Sequence, residues 1–501
     1  MKKTVFLLII CNLLITGAHA QNSNDILMSV ENGDLERFTR SMDAGSDVDM
    51  VLSNGYTVLN YAIVKKQADF VAYLLHRNAD IEKTSGIYTP LMFGVLSEPE
   101  ILHQIISKGA DVNRVHFNKT AIQLAIQTGR EWAIRILRDH GATVDLSGGP
   151  DGPYIFMDDI SGSSVSISVT PANQLRIDTL HGQISEIIVE TSRKESFKVS
   201  LGKPHNGVKS VYENPGKIFA LSDIEGNYTD FVTILINNNI IDQDLEWIFE
   251  DGHLVLLGDF VDRGTLVTQV LWLIYKLEQE AMELGGRVHF ILGNHEVMNM
   301  MGDVRYAHEK YHLLACQINM NIRDFYGPDS FLGSWMRTKN VVEKIGDYIF
   351  VHGGISDSLW RAGLSIPEMN HLMRQSYTQP ATEWDERIPL ITGEYGLLWY
   401  RGLIQGHSTY DKLDVESVDS ILAFYAAKNM IIGHSVVEDI TTDYDGRVIR
   451  IDVDHYDNPS SGILIKGDRI FKATKSGQKI RIENTSHANP KIDPKKQDYY
   501  P

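Results

Sequence analysis

Three short apolar runs carry the plan of the chain. Lys217-Ile218-Phe219-Ala220-Leu221 breaks into Ser222-Asp223-Ile224-Glu225-Gly226-Asn227. His253-Leu254-Val255-Leu256-Leu257 breaks into Gly258-Asp259-Phe260-Val261-Asp262-Arg263-Gly264. Val288-His289-Phe290-Ile291-Leu292 breaks into Gly293-Asn294-His295-Glu296. Short apolar runs closed by glycine and polar residues predict buried strands. The strand ends lie about 35 residues apart, enough for a strand, a crossover helix and a turn. Helical periodicity fills the gaps, at Phe231–Asn238 and Leu266–Leu284. Asp223, Asp259 and Asn294 are then expected side by side at the carboxyl edge of one sheet, where open α/β sheets bind ligands. Two further apolar runs end at His352 and His434, each followed by a small residue.

Other textures flank this region. Residues 25–148 repeat with a period of about 32. A turn phrase marks each unit: Gly45-Ser46-Asp47, Asn78-Ala79-Asp80, Gly109-Ala110-Asp111 and Gly141-Ala142-Thr143. Gly or Asn there fits a left-handed helix cap. Between the phrases stand Thr57-Val58-Leu59, Thr89-Pro90-Leu91 and Thr120-Ala121-Ile122. This resembles the ankyrin repeat, and implies an all-α solenoid with a surface for a protein partner. Gly148–Pro153 reads as a breaker-rich linker. Residues 154–214 alternate with period two, as at Ser164–Val169 and Phe197–Leu201, and predict a module of short antiparallel strands. Residues 484–501 are polar and read as a tail.

The N-terminus reads as a secretory leader, residues 1–20: Lys2 and Lys3, an apolar stretch Val5–Ile15, and Ala18-His19-Ala20 as cleavage site. It predicts a periplasmic or secreted protein. Cys316 is then the only cysteine left, and no other run is long enough to span a membrane. The net charge of −18, from 47 basic and 65 acidic residues, argues against a nucleic-acid surface.

Oxygen donors converging with two histidines point to hard divalent cations. Asp259 is placed to bridge two of them. Asp223 and Glu225 are candidates to complete one, and Asn294, His352 and His434 the other. Such a pair generates a hydroxide and clamps an in-line displacement at phosphorus. His295 is the candidate general acid with Asp262 orienting it. Arg263 and Arg401 are candidates to fork onto phosphate oxygens, with Arg305 a weaker third; Asn294 also adjoins the phosphate. His253 and His289 lie inside strands and read as core or edge residues, and His308 and His312 as a plain helix face.

Together SDIEGN, GDFVDRG, GNHE, Val351-His352-Gly353-Gly354 and Gly433-His434-Ser435 resemble the metallophosphoesterases of the phosphoprotein phosphatase type. Gly293–Tyr306 and Leu398-Trp399-Tyr400-Arg401-Gly402 are similar to Shewanella-like protein phosphatases. The resemblance spans roughly 216–470. It implies, over residues 216–483, an α/β domain with a β-sandwich core flanked by helices and a dinuclear centre of manganese, iron, zinc or magnesium. It also implies phosphomonoester hydrolysis, some members favouring phosphotyrosine. The family's D-x-H-G becomes Asp223-Ile224-Glu225-Gly226 here, and a carboxylate in the histidine's place favours manganese or magnesium over zinc. Hydrolysis of a phosphoanhydride, and a weakly active binding protein, are the alternative readings.

Overall fold

In the computed structural model residues 23–482 are described, apart from 144–145, 147, 159–162, 183, 193–194, 203–208, 405–409 and 457–458. The expected leader and tail lie outside the described residues. The chain divides into two compact units, residues 1–145 with 312–319 and residues 146–311 with 320–501.

The first unit is an ankyrin stack. Its helix pairs are Val58–Val64 with Ala68–His76, Pro90–Leu96 with Pro99–Ser107, and Ala121–Gln127 with Glu131–Asp139, preceded by Leu35–Asp43. The repeated threonine is the N-cap. Thr57, Thr89 and Thr120 accept the amides of Asn60, Met92 and Gln123, satisfying donors that the first helical turn leaves open. The turn phrases take the left-handed conformation at Gly45 (φ 102°), Asn78 (59°), Gly109 (99°) and Gly141 (87°), where these residue types cost little. Side chains stitch neighbouring repeats. Asp49 accepts the Asp80 amide at 2.7 Å, Glu82 that of Asp111 at 3.1 Å, and Asn113 that of Thr143 at 2.7 Å.

The second unit opens with β1 (Asp151–Asp158), β2 (Ser163–Val169) and β3 (Leu175–His181), an antiparallel sheet, and the hairpin β4 (Glu186–Glu190) and β5 (Ser196–Ser200). β1 begins inside the stretch that reads as a linker. Gly152 and Pro153 sit at a register shift on this edge strand, the place where a sheet tolerates proline. These small sheets pack on the long helix Val267–Glu283: Trp272 donates to the Pro153 carbonyl at 2.9 Å, and Gln269 to those of Pro150 and Glu190, both at 3.1 Å.

Next come β6 (Val211–Tyr212), β7 (Lys217–Leu221), β8 (His253–Leu257), β9 (Arg287–Ile291), β10 (Val342–Ile345), β11 (Tyr348–Val351), β12 (Asn429–Ile432), β13 (Thr441–Asp443), β14 (Val448–Arg450), β15 (Ser461–Lys466), β16 (Arg469–Thr474) and β17 (Lys479–Arg481). They form two six-stranded sheets, β13-β14-β12-β11-β10-β6 and β17-β16-β15-β7-β8-β9. β6 pairs parallel with β10, so the end of the expected antiparallel module belongs to the sandwich instead. Ile218, Ala220, Val255, Leu257 and Ile291 from one sheet share a core with Ile345, Phe350, Ile431 and Ile449 from the other. Phe219, Leu254 and Leu256, on the opposite face, are buried as well. Burial on both faces explains why these strands read as unbroken apolar runs. β7, β8 and β9 are mutually parallel, as are β11, β12 and β14.

Candidate active site

The two parallel triplets point their carboxyl ends at one place. After β7 the chain continues to follow its neighbour: the amides of Asp223, Glu225 and Gly226 donate to the carbonyls of Gly258, Asp259 and Phe260 at 3.0, 2.9 and 3.0 Å. Asp223, Glu225, Asp259, Asp262, Arg263 and His434 all hold positive φ, from 50° to 69°. Non-glycine side chains adopt this conformation uncommonly. Gly258 is required sterically, since a Cβ there would lie 2.5 Å from the Cα of Gly293.

The ligating atoms of Asp259, His352 and His434 lie within 4.8 Å of one another, and all three residues are buried. Among the described residues this is the group suited to a metal ion. His352 Nδ1 is 2.7 Å from the Leu257 carbonyl, an acceptor only, so this nitrogen carries the proton. Its Nε2 then faces Asp259 Oδ2 at 3.1 Å and Asn294 Oδ1 at 3.0 Å. With the Asn294 oxygen placed toward His352, three acceptors face one another there, an arrangement that suits a positive charge among them. Without an ion a proton fills that role: burial disfavours the imidazolium, but Asp259 and Asp223 outweigh it and raise the His352 pKa to about 9. His434 is bonded to the Trp399 backbone and its Nε2 has no hydrogen-bond partner among the described residues. Both rings are therefore fixed through the backbone with Nε2 directed to the group, as metal-ligating histidines are. The residues fit a divalent ion.

Asp223 Oδ2 accepts from the Ser222 hydroxyl, and from the His434 amide at 3.3 Å. Burial lifts its pKa to about 7, with His352 opposing and Asp259 adding to the shift. Burial also disfavours the Asp259 carboxylate, but the charges of His352 and His295 hold its pKa below the usual value.

His295 is fully buried. Its Nδ1 lies 2.6 Å from Asp262 Oδ2, and Asp262 Oδ1 accepts from Asn299 at 2.8 Å. The other ring nitrogen is 3.8 Å from Asp259. Glu225 and Arg263 form an ion pair, and Glu225, like Asp223 and Asp452, lies outside the Asp259 group. The nearest opposite charge claims its carboxylate. Arg263 also lies over the Tyr306 ring at 5.5 Å. Arg401 is buried, donating to the His434 carbonyl at 2.6 Å and to Ser435 Oγ at 3.3 Å. Arg305 is bidentate to Asp303 at 2.9 and 2.6 Å. His253 and His289 are core residues: His289 bridges Glu343 at 2.6 Å and His253 at 2.9 Å.

Sequence reasoning missed Glu296 and Asn299. Glu296 accepts the amides of Gly293, Asp259 and Phe260 at 2.8, 2.9 and 2.7 Å and so ties two of the strand-end turns together. Its position three residues after Gly293 is the capping-box spacing, a signal that was available.

The calcineurin-like phosphoesterase family model matches residues 216–438, and one for three ankyrin repeats matches 26–116. The chain is 28% identical over 225 residues to Shewanella-like protein phosphatase 1 of Plasmodium berghei, covering 44% of this chain and 61% of that one. It is 26% identical over 183 residues to a symmetrical bis(5'-nucleosyl)-tetraphosphatase of Nitrosospira multiformis, covering 34% and 59%. It thus spans about three fifths of these curated relatives. The crystal structure of a cold-active protein-tyrosine phosphatase from a psychrophilic Shewanella species superposes with a TM-score of 0.61 at 29% identity, covering 67% of this chain and 99% of that one. A mutant of that cold-active enzyme aligns at 30%.

Proposed function

This chain belongs to the calcineurin-like phosphoesterases, with ankyrin repeats ahead of the catalytic domain, and from that premise we propose that it is an exported phosphatase that hydrolyses phosphomonoesters, aryl esters of the phosphotyrosine kind among them. The observation that supports this reading is the buried group of Asp259, His352 and His434, with both histidines fixed through the backbone and an imidazole–carboxylate pair beside it.

Two divalent ions are proposed, manganese first. Asp223 and Asp259 would hold one; Asp259, Asn294, His352 and His434 would hold the other. When bound, such ions supply Lewis acidity toward phosphoryl oxygens and water. The remaining roles fall to the chain itself. Arg263 and Arg401 orient the phosphoryl group through planar, charge-assisted hydrogen bonds. The buried Asn294 Nδ2, which has no hydrogen-bond partner among the described residues, is a further donor toward phosphate. His295 gives the proton at Nε2 to the departing oxygen, while Asp262 holds Nδ1 and stabilises the imidazolium. As water oxygen bonds to phosphorus, the phosphorus–oxygen bond to the alcohol or phenol breaks. The ankyrin surface is proposed to dock a protein, either the phosphorylated substrate or a separate partner. Residues 1–20 are proposed as the export leader, to be checked by sequencing the N-terminus of the mature chain.

A second reading, hydrolysis of a phosphoanhydride, is favoured by the similarity to a bis(5'-nucleosyl)-tetraphosphatase. Measuring kcat/KM for a phosphotyrosine peptide and for a dinucleoside tetraphosphate with the same ion separates the two. The ester is expected to be preferred. Preference for the anhydride would replace the first reading with the second.

A further inference from the structure

Each sheet reaches the site through three parallel strands, and five of the six strand ends have been given a role. β7, β8 and β9 lead to Asp223, Asp259 and Asn294. β11 and β12 lead to His352 and His434. The sixth strand, β14, leads to Asp452. Ile432 of β12 is the register partner of Arg450 of β14, and the pairing runs on past the strands. The Ile451 amide donates to the Ile432 carbonyl at 3.0 Å, and the Val437 amide to that of Asp452 at 2.8 Å. Asp452 therefore stands at the same edge, just past the strand next to the one that leads to His434.

Asp452 is only 2% exposed, and its Oδ2 is buried without a hydrogen-bond partner among the described residues. A carboxylate in that condition is strongly disfavoured unless a cation or a proton compensates it. Its electrostatic neighbours are Asp223, His352, Asp259 and Arg401, which are the residues of the site. Arg401 does not satisfy Oδ2, and donates instead to His434 and Ser435. The His434 Nε2 lone pair is likewise without a partner. Meanwhile Glu225, expected beside Asp223, is engaged by Arg263. One expected ligand is thus diverted, and one buried carboxylate oxygen lacks a partner.

We infer that Asp452 is a ligand of the ion on the Asp223 side, in the role expected for Glu225. The inference rests on the phosphatase reading, since it assumes the divalent centre. Asp452 supplies one further hard oxygen donor, which favours manganese or magnesium. Glu225 instead holds Arg263, the candidate phosphate-binding arginine, in position.

Metal binding tests this without any assay of turnover. Chelator-stripped protein is dialysed against manganese, its ion content and affinities are measured, and its melting is followed with and without the ion. Wild type is expected to bind two ions. Asp452→Asn is expected to weaken one of them by more than the roughly 10–100-fold that loss of a residue supporting a ligand costs, while Glu225→Gln keeps both. Stripped Asp452→Asn should melt above stripped wild type, because one of three neighbouring buried carboxylates is neutralised, and should gain less from manganese. Asp452→Ser, smaller than the native residue, gives the same loss if the amide variant does not fold. Ion number, affinity and melting gain equal to wild type in the Asp452 variants would overturn the inference, as would loss of an ion in Glu225→Gln. A wild-type chain that binds no divalent ion would instead remove the phosphatase reading itself.

Discussion

The ankyrin turns and the phosphoesterase strand ends use the same backbone conformation with opposite choices of residue. In the turn phrases of the repeats the left-handed positions belong to Gly45, Asn78, Gly109 and Gly141, for which that conformation is cheap. At the site they belong to Asp223, Asp259 and Asp262, which tolerate it as asparagine does, and to Glu225, Arg263 and His434, for which it costs roughly 1–2 kcal/mol each. In the repeats the residue suits the backbone and stability is served. At the site the backbone is bent to suit the side chain, and the surrounding hydrogen bonds, those to Glu296 above all, hold it there.

The largest expected effect lies where chemistry outweighs stability. His295→Asn should lower kcat by about 10²–10⁴-fold, the usual contribution of a general acid. A loss of rate smaller than tenfold would put the proton elsewhere.

Two glycine substitutions sharpen the contrast. Gly258 and Gly109 both hold positive φ, at 83° and 99°. A Cβ at Gly109 meets nothing within 4 Å, whereas one at Gly258 would lie 2.5 Å from Gly293 Cα. Gly109→Ala is expected to cost about 1 kcal/mol of stability, the backbone strain alone, and no activity. Gly258→Ala adds overpacking to that strain, about 3 kcal/mol together, and should abolish turnover. Equal melting shifts for the two would refute the distinction.

This contrast also accounts for what the sequence reveals. Turn phrases and cap threonines are legible because backbone geometry restricts each position to a few residue types. The strand ends are legible because two-sided burial leaves apolar runs that stop abruptly at glycine and polar residues. Three features were not legible. β1 starts at Asp151, where a Gly-Pro pair reads as a breaker, because proline is tolerated on an edge strand. The Glu225–Arg263 pair depends on which opposite charge lies nearest in space, and spacing along the chain is silent on that. Asp452 follows a strand of only three residues, Val448–Arg450, whose buried Arg450 is paired with Asp443 at 2.8 Å and interrupts any apolar run.

A smaller effect should appear in acid. Burial, then His289 and Arg287, lower the His253 pKa to about 3, against about 6.5 in an unfolded chain. Between those values the unfolded state binds a proton that the folded state refuses, so stability falls as pH drops through that window. His253→Gln should flatten this slope relative to wild type when chemical unfolding is followed between pH 7 and pH 4. An unchanged slope would show that the buried His253–His289 pair does not set the acid limit of the catalytic unit.

The central claim is that two sets of parallel strand ends build one divalent-metal centre for phosphoester hydrolysis. Its most direct test is aryl phosphate turnover by protein stripped with chelator and resupplied with manganese, magnesium, iron or zinc, one at a time. Turnover absent from the stripped protein and restored by manganese is the result predicted here. Turnover that survives stripping, or that no ion restores, would contradict it.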